Sequence, residues 1–404
     1  MVKPERRTKA DILAAAAIAA VVAVVAALIW WTSDARATIS RPGTGTAPSP
    51  RLAHQVPDSL KQLWTAPNAP TEQPVVVAGT VVTADGRAVQ GRYPDTGKVR
   101  WSYSRGTDLC GVTGVYRFAV AVYRDDRGCG QVSTIDGSTG RRGPARSSYA
   151  DQRVRLTSDG TTVLSAGDTR LELWRSDMVR MLPYGEIDAR VKPSSKGLHT
   201  GCRFVSAAAS SAAVSVLGAC GSQVDLRLTL LRPSKEEDEP EVRDVPEPGI
   251  GVGSGARVLT VAETKTLLYL PAPQPKVDVV DESGVTVAST LLPKTPSAAS
   301  VVSRPGNLVT WWTGDKVMVF DGATLAYRYS IAAAGPSVPV GPATMMAGKL
   351  LVPVTNGIAV CDPVTGTGEG FLPVPRPPAS SPVIPTVSGV QVLEQRGNTL
   401  VALG

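Results

Sequence analysis

The sequence predicts an all-β fold, namely an eight-bladed β-propeller of four-stranded antiparallel blades preceded by one transmembrane helix. Short apolar runs recur in groups of four, with a period of about 40–45 residues, and this pattern is typical of propeller blades. The 404 residues include 39 Gly and 33 Pro, which indicates many turns. One uncharged run near the N-terminus is long enough to cross a bilayer. A seven-bladed ring is the alternative.

The transmembrane helix is predicted over residues 12–31, which contain no charged side chain. At about 1.5 Å per residue, a helix of this length crosses the roughly 30 Å hydrocarbon layer. Basic residues in the tail 1–11 favour a cytoplasmic N-terminus, and Trp30 and Trp31 suit the outer interface. A cleaved signal peptide is the competing interpretation, because Ala35-Arg36-Ala37 forms a small-x-small site. We expect a single-pass protein of the cell membrane with an extracytoplasmic propeller.

The next segment, residues 32–58, is rich in Pro, Ser, Thr and Gly. Such a composition buries little apolar area, so it predicts a flexible linker between the helix and the folded part. His54 lies in this linker, and we expect no chemical role for it. Residues 59–404 remain for a single propeller domain.

The repeated units are recognised by a turn before the fourth strand that begins with Asp. These turns are Asp95-Thr96-Gly97, Asp136–Gly140, Asp281–Gly284, Asp321–Thr324 and Asp362–Gly366. The predicted blades are residues 74–104, 112–145, 153–185, 199–246, 256–293, 299–331, 341–373 and 381–404. The last blade ends after three strands, and residues 60–64 resemble the missing fourth strand. An N-terminal strand therefore closes the ring, which removes two open sheet edges.

The run DTGKVRW at residues 95–101 resembles the repeat of the pyrroloquinoline-quinone-like (PQQ-like) propeller family. The resemblance covers about residues 60–404. It implies that Trp101 docks its blade onto the next one, and that Trp64 and Tyr327 do the same in their blades. The Gly-His…Trp-Asp pairs of WD repeats and the Gly-Gly pairs of kelch repeats do not occur.

The five cysteines predict two disulfide bonds and one free thiol. Cys110 and Cys129 are 19 residues apart, and Cys202 and Cys220 are 18 apart, with a similar place in two blades. In each pair, the first Cys begins an innermost strand and the second lies near the turn between the second and third strands. These two places meet at one end of a blade, so bridges within each pair are expected in an exported protein. Cys361 lies in an apolar strand, where a buried thiol is expected.

The residues offer little catalytic chemistry, and no catalytic, cofactor-binding or metal-binding residue is assigned. His199 is the one imidazole of the predicted propeller, and hydrolytic triads need a His. The acidic segment 235–247 is expected to be a solvated loop. The family resemblance raises a quinone-dependent dehydrogenase with Ca²⁺, but no two cysteines are adjacent, and Trp311-Trp312 lies in a strand. We therefore expect no cofactor. Because the net charge of +7 is dispersed, we expect no nucleic-acid partner either.

Three functional hypotheses follow. The first is a non-catalytic scaffold that binds a protein partner in assembly or transport at the cell envelope, as the resemblance implies for cofactor-free members of the family. The second is a module that binds an envelope glycan or another small ligand in the axial funnel. The third, which we expect least, is a quinoprotein dehydrogenase.

Overall fold

The computed structural model of the chain describes residues 8–48, 50–186, 200–235, 239–377 and 381–404. Within these residues, one helix is long and apolar enough to cross a membrane, namely α1 (Lys9–Thr32), with a mean hydropathy of 3.0 and no buried residue. It begins with a capping box, in which Thr8 and Asp11 exchange hydrogen bonds. A short helix, α2 (Asp34–Ala37), follows it.

The first two strands join the sheets of blades 1 and 8, and the later strands follow blade by blade. The first strands are β1 (Ile39–Arg41), β2 (Gln62–Pro67), β3 (Val75–Val77), β4 (Thr80–Asp85), β5 (Ala88–Arg92), β6 (Val99–Ser104), β7 (Leu109–Val115), β8 (Phe118–Asp125), β9 (Gly128–Asp136), β10 (Arg142–Ser147), β11 (Arg155–Ser158), β12 (Thr162–Ala166), β13 (Arg170–Arg175), β14 (Arg180–Gly185), β15 (Cys202–Ala209), β16 (Val214–Cys220), β17 (Asp225–Arg232) and β18 (Glu241–Gly251).

The remaining strands complete the second half of the ring. They are β19 (Arg257–Ala262), β20 (Lys265–Leu270), β21 (Lys276–Val280), β22 (Thr286–Leu291), β23 (Val301–Ser303), β24 (Leu308–Trp312), β25 (Val317–Asp321), β26 (Tyr327–Ile331), β27 (Thr344–Met346), β28 (Lys349–Val354), β29 (Gly357–Cys361), β30 (Gly368–Pro373), β31 (Val383–Ser388), β32 (Gln391–Arg396) and β33 (Thr399–Leu403).

These strands form eight antiparallel sheets, so the eight-bladed propeller is confirmed and the seven-bladed alternative is wrong. Blades 1 to 7 take four consecutive strands each, from β3 to β30, and blade 8 takes β31, β32, β33 and β2. The first strand of each blade is innermost and the last is outermost. The middle strands are buried on both faces, because each blade is covered by a neighbour on either side. Their apolar residues are therefore continuous rather than alternating, as in Thr80–Asp85.

The ring closes as the sequence predicts. Strand β2 pairs with β33, with Trp64 opposite Ala402 and Thr65 opposite Val401. The side chain of Asn68 is completely buried just beyond β2 and joins the first blade to the last. Its Nδ2 donates to Gln395 Oε1 at 2.7 Å, and its Oδ1 accepts from the backbone N–H of Ala84 in blade 1 at 2.9 Å.

Blade 4 differs from the sequence expectation in its outermost strand. The acidic segment 235–247 was expected to be a loop, but Glu241–Gly251 forms β18 and pairs with β17 along Asp225–Arg232. Residues 236–238 lie outside the described residues. An outermost strand exposes one edge to solvent, and such edges accept Pro and charged residues that an inner strand rejects.

The linker also differs from the expected flexible tether. Strand β1 pairs antiparallel with β6 and becomes a fifth strand on the outer edge of blade 1, with Ile39 opposite Ser104 and Arg41 opposite Ser102. Backbone pairing requires no particular side chains, which is why a polar, Pro-rich composition did not reveal it. We call residues 34–48 and 50–56, which contact the ring along their length, the strap.

Candidate functional site

Some blades dock on the next through an aromatic side chain of the outermost strand, and two of the three predicted docking residues occupy this position. Trp101 Nε1 donates to the carbonyl oxygen of Gly137 in blade 2 at 2.8 Å, and its side chain is buried. Trp64 Nε1 makes the same bond to Pro94 of blade 1 at 2.9 Å. In both cases the ring lies on a glycine with positive φ, which is Gly140 for Trp101 and Gly97 for Trp64.

The third docking residue is Tyr329, and the assignment of Tyr327 is corrected. Tyr327 is 42% exposed, and its hydroxyl group contacts Ser330 of the same strand. Tyr329 OH donates to the carbonyl oxygen of Pro363 in blade 7 at 2.6 Å, and its ring lies against Gly366. Burial raises the pKa of Tyr329 to about 12.

The two-residue error has a local cause. The N–H of Asp321 bonds to the oxygen five residues later, at Ala326, and in blade 1 it is Tyr93 that makes the equivalent bond to Lys98. Asp321 of blade 6 therefore corresponds to Tyr93 of blade 1, and Asp95 lies two residues further along its turn. Aligning Asp95 with Asp321 therefore moved the predicted docking residue from Tyr329 to Tyr327.

Both predicted cysteine pairs are joined by disulfide bonds, Cys110 to Cys129 and Cys202 to Cys220. Each bridge joins the start of an innermost strand to the hairpin between the second and third strands, with Cys129 at the start of β9 and Cys220 at the end of β16. We call this end of the ring the disulfide end, and the end with the turns between first and second strands the opposite end. Cys361 is free and buried, and burial raises its pKa to about 11.

An axial cavity of about 490 Å³ is lined by innermost strands of blades 1, 2, 3 and 8. Two side chains from the loop before β3 cross its mouth at the disulfide end. Glu72 pairs with Arg155 of blade 3 at 2.6 Å, and Gln73 Nε2 donates to the carbonyl oxygen of Val302 in blade 6 at 3.3 Å. The cavity is thus polar and bridged at one end.

Two arginines of blades 5 and 6, the half-buried Arg257 and the exposed Arg304, donate to backbone oxygens on or beside the innermost strands. Arg257 donates to the carbonyl oxygens of Ser297 and Ala298, and Arg304 donates to that of Val261 at 3.0 Å. Desolvation lowers the pKa of both guanidinium groups from the ordinary value of an arginine. A polar or anionic ligand is the kind that such groups would hold.

The described residues contain no group of three or more His, Cys, Asp or Glu side chains that could hold a metal ion. His199 lies outside the described residues, and His54 is exposed in the strap. Trp311 packs between blades 5 and 6, and Trp312 packs between blades 6 and 7, so this pair forms no aromatic platform.

No protein-family model and no curated protein sequence matches this chain. Among solved structures, it is similar to BamB from Moraxella catarrhalis, with 15% identity and a TM-score of 0.51, over 85% of this chain and 99% of that one. It is also similar to the C-terminal WD40 domain of Sif2, with 10% identity and a TM-score of 0.52, over 86% of this chain and 98% of that domain. At such identities the likeness shows the β-propeller fold alone.

Proposed function

We propose that this protein is a non-catalytic propeller scaffold, held to the outer face of the cell membrane by α1, which binds a protein partner at the cell envelope. The sequence resemblance to PQQ-like repeats favours this class, because cofactor-free members of that family act as envelope scaffolds. The likeness to two propellers, BamB and a WD40 domain, fits a protein-binding role.

The observation that carries the proposal is the bridged axial cavity. Glu72 and Gln73 reach blades 3 and 6 across the ring, so a ligand entering from the disulfide end meets these two side chains first. The ring therefore offers its broad external ends, stiffened by two disulfide bonds at one of them, more readily than an enclosed pocket. Rigid external surfaces of this kind suit a protein partner.

Site-specific photocrosslinking in intact cells tests the scaffold function. A photoreactive phenylalanine analogue replaces Tyr116, which is 65% exposed at the opposite end, and, as the matched position, Tyr327 on an outer edge. We expect one protein to be crosslinked reproducibly from one position and not from the other. The absence of protein adducts from both positions would reject the scaffold proposal.

The second candidate is a small-ligand module, favoured by the cavity of about 490 Å³ and by Arg155 at its lining. Binding of short envelope glycans to the purified propeller, measured by calorimetry with the Arg155→Ala variant as control, distinguishes the small-ligand module from the scaffold.

The dehydrogenase hypothesis is tested by mixing the propeller with the quinone and Ca²⁺. An unchanged absorbance spectrum argues against a quinone site.

A further inference from the structure

The chain is fixed to the ring almost immediately after α1 ends. Asp34 forms an ion pair with Arg105 at 3.1 Å, and Arg105 lies in the loop that joins blades 1 and 2 at the disulfide end. A Cβ atom on Gly106 of the same loop would lie 2.8 Å from Ala37 Cβ, so α2 and this loop are in close contact.

The joint between α1 and the strap is braced as well. Arg36 stacks over the ring of Trp31, with its guanidinium carbon 3.7 Å from the ring centroid. Ser33 Oγ donates to the carbonyl oxygen of Trp30 at 2.8 Å, which caps the last turn of the helix. The indoles that suit the membrane interface thus contact Ser33 and Arg36, which are the chain neighbours of the ring-contacting residues Asp34 and Ala37.

From α2 the strap runs along the outer edge of blade 1 to the opposite end of the ring. After β1, the N–H of Gly43 donates to the carbonyl oxygen of Thr139 at 2.9 Å, and Arg100 donates to Gly45 at 2.9 Å. The strap then passes the turns between the first and second strands of blades 1, 8 and 7. Val56 ends this path in an apolar cluster with Met346.

The length of free chain decides the orientation. Only Ser33 lies between Thr32, the end of α1, and Asp34, and the two Cα–Cα steps from Thr32 to Asp34 span at most about 7 Å. A ring attached so closely and along so long a path is not free to rotate about its linker. We propose that the strap holds the disulfide end of the propeller against the lipid bilayer and turns the opposite end outward.

This inference rests on the proposed membrane anchor and adds the direction of the ring to it. It assigns the bilayer surface to the disulfide end and leaves the opposite end for a protein partner. Residues 43–48 and 50–56 of the strap lie at that outward end, so they belong to the surface that a partner meets.

Lipid-quenching of two matched fluorophores tests the orientation in the full chain, reconstituted in phosphatidylcholine/phosphatidylglycerol vesicles with nitroxide-labelled headgroups. One label is attached through Asp126→Cys at the disulfide end and the other through Tyr116→Cys at the opposite end, so that β8 separates them by about 25 Å. Cys361 is buried with a raised pKa and stays unlabelled. We expect several-fold stronger quenching at position 126 than at position 116.

The control is a strap variant, Ile39→Pro/Ser40→Pro/Arg41→Pro, combined with Asp34→Ala, which removes the donors of β1 and the ion pair and keeps the linker length. We expect the two labels to be quenched almost equally in this variant. Equal quenching in the unmodified strap, or stronger quenching at 116, would overturn the orientation. A chain that does not float with the vesicles would instead reject the anchor in the proposed function.

Discussion

At the scale of single residues, the docking of blade 1 on blade 2 depends on a glycine that leaves room for an aromatic ring. A Cβ atom on Gly140 would lie 2.3 Å from Trp101 Cβ, and Gly140 has a φ of +71°. Gly86 has a similar positive φ of +56° but no atom within 4 Å of its Cβ position. Substitution of Gly86 therefore measures the free-energy cost of a left-handed Ala alone, and substitution of Gly140 measures that cost together with the contact with Trp101.

We predict that Gly140→Ala lowers the free energy of unfolding by about 3 kcal/mol, and Gly86→Ala by about 1 kcal/mol. Both variants pay for a left-handed Ala, but only the first also displaces Trp101. Urea unfolding followed by tryptophan fluorescence gives both values. Equal losses in the two variants would mean that Trp101 does not need this close approach.

The corrected docking residue supplies a second test at this scale. Tyr329→Phe removes a hydroxyl group that donates to Pro363 across the interface between blades 6 and 7, whereas Tyr327→Phe removes one that is exposed. We predict a loss of about 1 kcal/mol for Tyr329→Phe and no measurable loss for Tyr327→Phe. Thermal and chemical unfolding measure both. The reverse order of effects would restore Tyr327 as the docking residue.

At the scale of elements, the Asp residues of the turns before the outermost strands act as hydrogen-bond acceptors. The backbone N–H and the hydroxyl of Thr324 donate to Asp321 Oδ1 and hold the pKa of Asp321 well below its ordinary value. Asp362 has the same arrangement with Thr365, and its pKa is also lowered. These carboxylates are charged in the folded chain even in fairly acidic solution.

The sign of the pH dependence follows from the lowered pKa. A carboxyl group whose pKa is lower in the folded chain than in the unfolded chain stabilises the fold above its unfolded pKa, and this stabilisation disappears as the pH falls through the folded value. We predict that stability falls below about pH 4 and that Asp321→Asn makes this fall shallower. Urea unfolding at several pH values tests it. Asp126→Asn removes the same charge in another turn and serves as the control; an equal change there would contradict the role of Asp321.

Elements with a local signature could be predicted from the sequence, and those without one could not. Blade strands are apolar runs between Gly-containing turns, so their number and the closing strand β2 were predictable. The turn of blade 6 hides its register, because Leu325 has the left-handed backbone (φ +60°) that Gly97, Gly140 and Gly366 have in the equivalent turns. The pairing of Ile39–Arg41 depends on backbone groups of a distant edge, and the bridge from Glu72 to Arg155 depends on how blades are arranged around the axis.

At the scale of the whole molecule, stability depends on joining the two ends of the chain. The buried amide of Asn68 connects Gln395 of blade 8 with Ala84 of blade 1, and Gln395 Nε2 donates back to the carbonyl oxygen of Asn68 at 2.9 Å. An open ring would expose the apolar faces of blades 1 and 8 together. The closing strand and this amide pair therefore make a cooperative unit of all eight blades.

We predict that Asn68→Ala lowers the free energy of unfolding by about 2–3 kcal/mol, because it leaves the buried backbone N–H of Ala84 and the Oε1 of Gln395 without these partners. Asn398→Ala, at an exposed position in the adjacent turn, should change stability little, since the backbone oxygen of Asn398 accepts the N–H of Asn68 in either variant. Denaturant unfolding gives the loss, and amide exchange in blades 1 and 8 shows where the ring opens. If the buried pair closes the ring, amide exchange rises in blades 1 and 8 before it rises in blades 4 and 5. A uniform rise would mean that Asn68 stabilises the whole domain and not the junction between blades 1 and 8 in particular.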